Sequence, residues 1–145
     1  MKEKLLISAC LCGKNTKYNG GNNLISNLDK IKERYELYLV CPEVMGGLTI
    51  PRNPSEILGS LVLSNQNIDV TKEYHHGAEQ ALKIVLKNKI KKALLKESSP
   101  SCGSHFVYDG TFTGKKINGE GITVQLLKQH NIEIFSENQI EELLK

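Results

Sequence analysis

Three cysteines in this chain each stand where an apolar run of strand length ends. Cys10 follows the first run, Cys41 follows the second, and Cys102 lies in the turn Lys96-Glu-Ser-Ser-Pro-Ser-Cys-Gly103 after a third. The turn-forming residues beside them predict that each run is a strand delivering its cysteine to a loop. Because the carboxyl ends of parallel strands share one edge of a sheet, we expect these distant thiols to converge there.

Converging thiols are compatible with three kinds of site. Thiolates are soft ligands that suit a soft metal or an iron–sulfur cluster, and a set of three leaves one position open. A disulfide would use two of them and leave the third unpaired. Each cysteine can also be a small buried apolar side chain, which is how most free cysteines behave. Spacing alone leaves the metal or cluster site and the structural cysteines as comparable interpretations.

Polar side chains beside the cysteines widen the chemistry available at this edge. Glu43 follows Cys41 by two residues at a proline-marked strand end, so a carboxylate for general acid–base catalysis is expected there. The turn that carries the third cysteine also contains three hydroxyl groups, on Ser98, Ser99 and Ser101. They either satisfy backbone amides of the turn or donate protons and orient a substrate. Arg52 suits a structural role as well as it suits binding of an anionic or carbonyl-bearing ligand.

Other metal-binding or phosphate-binding signals are weak. Cys10 and Cys12 do not have the two-residue spacer of zinc ribbons and thioredoxin-like motifs. Neither a strand-linked dinucleotide-binding glycine motif nor a Walker motif occurs. The histidines show no partnered metal spacing; they are His75, His76, His105 and His130.

Alternating strand and helix patterns predict the sheet that positions these residues. Strands are predicted over residues 5–11, Glu36–Val40, Leu61–Leu63, Ala93–Leu95 and Ile132–Phe135. Helices are predicted from Leu24 to Tyr35, from Asp69 or Thr71 through Leu86, from about Gly121 to His130, and from Asn138 to Lys145. Residues 43–57 are expected to be irregular, and residues 108–120 a loop or loose hairpin. The pattern predicts an α/β fold: a single three-layer, Rossmann-like domain over residues 1–145, with a mostly parallel sheet flanked by helices.

Composition narrows the classes of function. The net charge is only +3, and the densest basic cluster, Lys87 to Lys92, is typical of a solvated helix end, so no nucleic-acid polymer is expected as a partner. The apolar stretch from Leu5 to Ala9 is shorter than an export signal needs, and no run is long enough to cross a membrane. We therefore expect a cytoplasmic protein with reduced cysteines and no membrane partner.

Several short motifs, in collinear order over nearly the whole chain, resemble the thiouracil desulfidase family of small bacterial and archaeal proteins. They are Ile7-Ser-Ala-Cys10-Leu-Cys-Gly13, Tyr18-Asn-Gly20, Cys41-Pro-Glu43, Gly46-Gly47-Leu48, Pro51-Arg52, Asp69-Val-Thr71, Gly77-Ala78, Ser98-Ser-Pro-Ser-Cys-Gly103, Phe112 and Gly119–Thr123. The chain departs from the family pattern at Thr16, where many members have a cysteine. It carries Cys12 instead, which leaves a spare or regulatory thiol.

This resemblance implies a [4Fe-4S] cluster and a small thiolated base, such as 2-thiouracil, as substrate. The cluster ligands would be Cys10, Cys41 and Cys102, with one iron left open for the sulfur of the substrate. Glu43 would be the catalytic carboxylate that activates a water, and a serine of the 98–101 block would supply a proton. Ser99 is favoured for that role and Ser101 is second. The implied reaction is a non-redox hydrolysis of the carbon–sulfur bond.

Two other functions remain alternatives at the level of sequence. The three cysteines would also serve a non-catalytic module that carries sulfide or transfers sulfur to a partner. They would equally serve a zinc-binding or thiol redox protein.

Overall fold

The computed structural model describes residues 2–145 and contains a four-stranded parallel sheet at its centre. The strands of the chain are β1 (Glu3–Ser8), β2 (Tyr35–Val40), β3 (Ser55–Leu58), β4 (Leu61–Ser64), β5 (Lys92–Leu95), β6 (Phe106–Tyr108), β7 (Lys116–Asn118) and β8 (Glu133–Ser136). The central sheet has the order β2-β1-β5-β8 and is parallel throughout. The remaining strands form two antiparallel hairpins, β3-β4 and β6-β7.

Helices cover both faces of the central sheet, as the sequence predicts. They are α1 (Leu28–Arg34), α2 (Pro42–Met45), α3 (Thr71–Asn88), α4 (Ile122–Gln129) and α5 (Ile140–Leu143), with 3-10 turns over Ala9–Cys12 and Glu137–Gln139. One face packs Leu6 and Ala93 against side chains of α3 and α4. The other packs Leu5 and Leu94 against side chains of α1 and α5. The predicted three-layer α/β architecture is therefore confirmed.

The central strands are continuously apolar in sequence because they are buried on both faces of the sheet. Leu5, Leu6 and Ile7 are all fully buried, which explains the continuous apolar run where a half-exposed strand would alternate. On α3, Ala81 and Val85 face the core as the helical spacing predicts. The same spacing predicts that Leu86 faces the core, but it is exposed because it lies at the edge of the apolar arc near the helix end.

Several predicted element boundaries are wrong, for local reasons. The first strand stops at Ser8, because the chain then tightens into a 3-10 turn that Gly13 closes in a left-handed conformation. The helix expected from Leu24 begins only at Leu28, and Leu24 is exposed. The strand expected over Leu61–Leu63 forms but does not join the main sheet. Only two residues separate it from β3, so it pairs antiparallel with β3 in a hairpin.

The strand order creates the crevice in which a ligand is expected. The chain leaves β1 toward β2 on one side, and β5 lies on the other side of β1. Loops that follow β1 and β5 therefore diverge, and open α/β sheets bind ligands at such a point. Within residues 2–145, no helix is both long enough and apolar enough to span a membrane.

Candidate functional site

A cavity of about 620 Å³ opens at the carboxyl edge of the sheet and brings the three predicted cysteines together. Cys10 reaches it from the 3-10 turn after β1, Cys41 from the residue after β2, and Cys102 from the turn after β5. All are free thiols. The predicted convergence of the three thiols at one edge is therefore present in the structure.

The cavity cysteines lie close enough to influence one another electrostatically. Burial raises the pKa of the Cys102 thiol, and the charges of Glu43, Cys41 and Cys10 raise it further. Burial also raises the pKa of Cys10, although Asn23 Nδ2 donates to Cys10 Sγ at 3.5 Å and opposes that rise. The Cys10 and Cys102 thiols are thus sheltered groups that favour the neutral form until a cation binds them.

Cys12 has a different environment from the other three cysteines. It ends the 3-10 turn and packs with Ile25 and Leu28 against the face of the sheet that α1 covers. It is not among the residues that line the cavity. Its separation from Cys10 follows from the turn, because residues 9–12 no longer alternate as a strand does.

The turn that presents Cys102 is folded around one buried carboxylate, Glu97. Its Oε1 accepts backbone N–H bonds from Ser98 at 3.1 Å, Ser104 at 2.9 Å, His105 at 3.0 Å and Phe106 at 3.2 Å. Its Oε2 accepts from Ser104 Oγ at 3.1 Å and lies 2.8 Å from His105 Nδ1. Burial alone raises the pKa of Glu97, but the hydrogen bonds, foremost those from His105, outweigh it and lower the pKa to about 2.

The same turn also rests on the first residues of α4. Ile122 N donates to Pro100 O at 2.8 Å, and Thr123 N donates to Ser101 O at 2.9 Å. A side chain at Gly121 would place its Cβ 2.4 Å from Ser101 O, so only glycine permits this approach. The loop carbonyls therefore satisfy amides that the helix leaves free at its start.

Glu43 lies on α2, two residues after Cys41, and its carboxylate faces two donors. Arg52 Nε donates to Oε1 at 3.1 Å, and Ser99 Oγ donates to Oε2 at 3.2 Å. Arg52 is itself held by Thr49 O at 3.1 Å and Thr16 O at 2.9 Å. The guanidinium is therefore a structural bridge between two loops as well as a partner of the carboxylate. These contacts support the structural interpretation of Arg52, and its binding of a ligand stays a prediction.

Ser99 is oriented by the backbone of its own turn. Its Oγ accepts N–H bonds from Ser101 at 3.0 Å and Cys102 at 3.1 Å, while it donates to Glu43. Ser101 differs: its side chain is fully buried and its Oγ lies 2.7 Å from Thr123 Oγ1. Ser99 lines the cavity and Ser101 does not, so the second serine predicted for proton transfer is placed away from the carboxylate.

Two further features of the site were not singled out for it in the sequence. Tyr74 on α3 is 2 % exposed and lines the cavity. Burial raises its pKa well above the ordinary value, and the charge of Glu43 raises it further, so the phenol stays protonated beside the carboxylate. In the sequence, Tyr74 cannot be distinguished from an ordinary core residue, because its helical spacing is that of the side chains that face the core.

The second such feature is the crossing of α2 and α3, which has no side chain between the backbones. A Cβ at Gly77 would lie 1.8 Å from Pro42 O, and a Cβ at Gly46 would lie 1.9 Å from Glu73 O. This contact fixes Glu43 relative to Tyr74. In the sequence, this crossing could be inferred from a glycine inside an amphipathic helix pattern. Such a glycine lowers helix stability, so its presence indicates close packing against another element.

The histidines lie outside the cavity lining. His105 contacts Glu97, as described above, and its backbone caps the Cys102 turn. The other three are exposed: His75 and His76 lie on α3, and His130 directly follows α4.

The donor groups of the site suit a cluster better than a single metal ion. Within residues 2–145, groups of three His, Cys, Asp or Glu side chains spaced to hold one metal ion are absent. A cuboidal [4Fe-4S] cluster does not require that spacing, because each cysteine binds a different iron atom. Three sheltered thiols on one cavity, with a cavity of this volume between their loops, fit such a cluster.

Comparison with known proteins gives consistent matches over most of the chain. A solved structure described as the [4Fe-4S]-dependent thiouracil desulfidase TudS is 46 % identical, with a TM-score of 0.92 over 98 % of this chain and 95 % of that one. The uncharacterized protein YbbK of Bacillus subtilis (strain 168) is 37 % identical, over 97 % of this chain and 99 % of its own length. The family model for 2-thiouracil desulfurase matches residues 5–139. By that match, this chain belongs to the 2-thiouracil desulfurase family.

Proposed function

We propose that this protein is a [4Fe-4S]-dependent desulfidase that removes sulfur from a small thiolated base such as 2-thiouracil. The observation that carries the proposal is that three thiols and a hydrogen-bonded Glu43–Ser99 pair share one cavity. The similar solved structure is described as a [4Fe-4S]-dependent thiouracil desulfidase, which supports both the cofactor and the substrate class. A sulfide carrier or a zinc protein has no use for an oriented carboxylate and hydroxyl beside its thiols. The free cysteines suit a reducing compartment, and we propose a cytoplasmic location.

In this proposal Cys10, Cys41 and Cys102 hold the cluster. Their thiols must lose their protons on binding, and burial of Cys10 and Cys102 keeps water away from the resulting bonds. A cluster held by these three cysteines would leave one iron without a protein ligand, and that iron would supply a Lewis acid for the sulfur of the thiocarbonyl.

The chain's own residues carry the proton transfers. Glu43 acts as the general base that takes a proton from the attacking water, and its position is fixed by Arg52 and by the helix crossing beneath it. Ser99 is hydrogen-bonded to Glu43 and kept in place by two backbone amides. It passes its proton to the reacting group and takes in return the proton that Glu43 removed from the water. Tyr74 stays protonated beside Glu43 and helps to hold the carboxylate in its orientation.

The net reaction balances without an oxidant or reductant. One water replaces the sulfur: the C=S bond becomes C=O, and the sulfur leaves as hydrogen sulfide with both protons of the water. The proposed chemistry is therefore a hydrolysis.

Anaerobic reconstitution followed by a 2-thiouracil assay tests this function. We expect brown protein that releases uracil and sulfide in equal amounts with no added ATP or reductant. Glu43→Gln should lose at least about 100-fold in kcat while the cluster absorption stays the same, because only the general base changes.

Other outcomes of the same assay would contradict the proposal. Colourless, zinc-loaded protein would favour the zinc or redox alternative. Sulfide that stays on the protein without release of uracil would favour a carrier. Loss of the cluster in Glu43→Gln would reassign Glu43 to a structural role.

A further inference from the structure

The tip of the β6-β7 hairpin presents an aromatic side chain to the cavity. Phe112 lines the cavity and leaves 38 % of its surface exposed. Its φ is 57°, a left-handed conformation that a bulky residue rarely adopts. Such strain persists only where the surroundings impose it, and it is frequent at sites of ligand binding.

The surroundings that impose this conformation belong to a turn over residues 109–113, here called the aromatic turn. Asp109 Oδ1 accepts from Thr111 N at 3.0 Å and from Thr111 Oγ1 at 2.5 Å, which closes the turn on itself. A Cβ at Gly110 would lie 3.0 Å from Ile57 O, so the turn approaches β3 closely. The conformation of the aromatic turn is therefore fixed by its internal hydrogen bonds and by its packing against β3.

A buried carboxylate on β3 anchors the aromatic turn. Glu56 is 8 % exposed, and its Oε1 accepts from Gly110 N at 2.9 Å and from Phe112 N at 3.2 Å. The carboxylate thus binds the backbone of the residue whose ring lines the cavity. Nothing in the proton transfers described above uses Glu56 or Phe112, so their arrangement calls for another role.

We propose that Phe112 recognises the flat ring of the substrate by stacking, and that Glu56 is a positioning residue that holds Phe112 in place. The proposal rests on the function proposed above and adds the residue that selects a planar aromatic ring. Every flat heteroaromatic ring offers a π-face to a phenyl group, and removal of such a stacking partner from a base-binding site weakens binding substantially. Recognition of the ring is separate from the cysteines, Glu43 and Ser99, which act on its sulfur.

Kinetics of matched variants test the role of Phe112. Phe112→Ala should raise KM for 2-thiouracil about 10-fold and leave kcat within about 2-fold, whereas Phe112→Tyr should keep the wild-type KM. Phe106→Ala is the control, because Phe106 lies on the same hairpin and is 44 % exposed but does not line the cavity. Its KM should not change.

A binding measurement separates this inference from the function. 5-Fluorouracil carries the ring without the sulfur, and a ¹⁹F NMR titration of the cluster-loaded protein should give a Kd about 10-fold weaker in Phe112→Ala than in wild type. Wild-type turnover with an unchanged KM and Kd in Phe112→Ala would overturn the inference and leave the proposed function standing. Absence of wild-type turnover in loaded protein would overturn the proposed function, and the titration would still decide whether Phe112 binds the ring.

Glu56 is tested through its dependence on Phe112. Glu56→Ala should raise KM as Phe112→Ala does, and the double variant should show no further rise, because both changes remove the same contact. Glu56→Gln retains an acceptor oxygen for the two amides and should keep KM within about 3-fold. Additive effects in the double variant, or an unchanged KM in Glu56→Ala, would overturn the positioning role.

Discussion

At the scale of single residues, the direction of one hydroxyl proton organises the proposed chemistry. A serine hydroxyl has one proton to donate and two lone pairs that accept. In Ser99 the amides of Ser101 and Cys102 donate to the oxygen, so the proton is left for Glu43. The donor is thus oriented before any substrate arrives, which is the property that a proton-transfer group requires.

Ser99→Ala should lower kcat at least about 100-fold with the cluster spectrum unchanged, because the proton donor is removed while the cysteines stay in place. Steady-state kinetics on reconstituted protein measure the effect. Ser101→Ala is the matched control: it leaves Thr123 without its hydroxyl partner and should cost roughly 1–3 kcal/mol of unfolding free energy, with kcat changed only a few-fold. The reverse pattern, with activity lost in Ser101→Ala alone, would transfer the role to Ser101.

The sequence located these residues but did not orient them. Three cysteines, each at the end of an apolar run, were sufficient to predict a shared edge, since parallel strands force their ends together. The choice between Ser99 and Ser101 depended on resemblance, because the direction of a hydroxyl in a turn is decided by distant partners such as Thr123. Tyr74 was missed because nothing in its helical spacing distinguishes it from a core residue.

At the scale of elements, the turn that carries Cys102 is shaped by hydrogen bonds to one side chain. Glu97 gathers backbone amides from both ends of residues 98–106 and replaces the pairing that a strand or helix would provide. Such a turn keeps its shape only while the carboxylate is ionised. Its stability should therefore follow the charge of Glu97.

The folded pKa of Glu97, about 2, lies below its ordinary value of 4.5. Its contribution to folding is therefore complete above about pH 4.5 and is lost as the pH falls toward 2, a change on the order of 3 kcal/mol at about 1.4 kcal/mol per pKa unit. Urea unfolding at a series of pH values measures this. Glu97→Gln should be less stable at pH 7 and should lose much of the acid dependence.

Glu120→Gln provides the control for that series, because Glu120 pairs with Lys128 at the surface, where such pairs contribute little. Its acid profile should match that of wild type. A Glu97→Gln profile that also matches wild type would show that the hydrogen bonds to Glu97 do not stabilise the turn.

Local patterns predicted the long elements better than the short ones. α3 and the strands of the central sheet follow from burial periodicity, which spans many residues. The region 43–57 was expected to be irregular, yet it contains α2 and β3, which gain their stability from contacts elsewhere: the glycine crossing with α3 and pairing with β4. A four-residue element has too little intrinsic preference to appear in the sequence.

At the scale of the whole molecule, the proposed cofactor links three separate segments of the chain. Its ligands follow β1, β2 and β5, which are neighbours in the sheet but distant in sequence. A group that binds only the folded arrangement of these segments stabilises the entire fold by mass action. The order of the strands, which places β1 between the other two, could not be read from the sequence because it depends on long-range packing.

Loading the cluster should raise the thermal unfolding midpoint by at least about 5 °C over cluster-free protein, because bonds from three segments must break together on unfolding. Anaerobic scanning of both forms measures the difference. Cys10→Ser should lose the gain, whereas Cys12→Ser should retain it, since Cys12 packs in the apolar layer outside the cavity lining. Equal midpoints of the loaded and cluster-free wild type would argue against a cofactor that bridges the segments.

The position of Cys102 along the chain also bears on biosynthesis. Cys10 and Cys41 leave the ribosome before Cys102, and β5, which precedes Cys102, must dock beside β1 before the three thiols converge. A growing chain that still lacks Cys102 has only two of the three proposed cluster ligands. In the proposed function, a complete cluster site can therefore form only after β5 and the turn that carries Cys102 have been made.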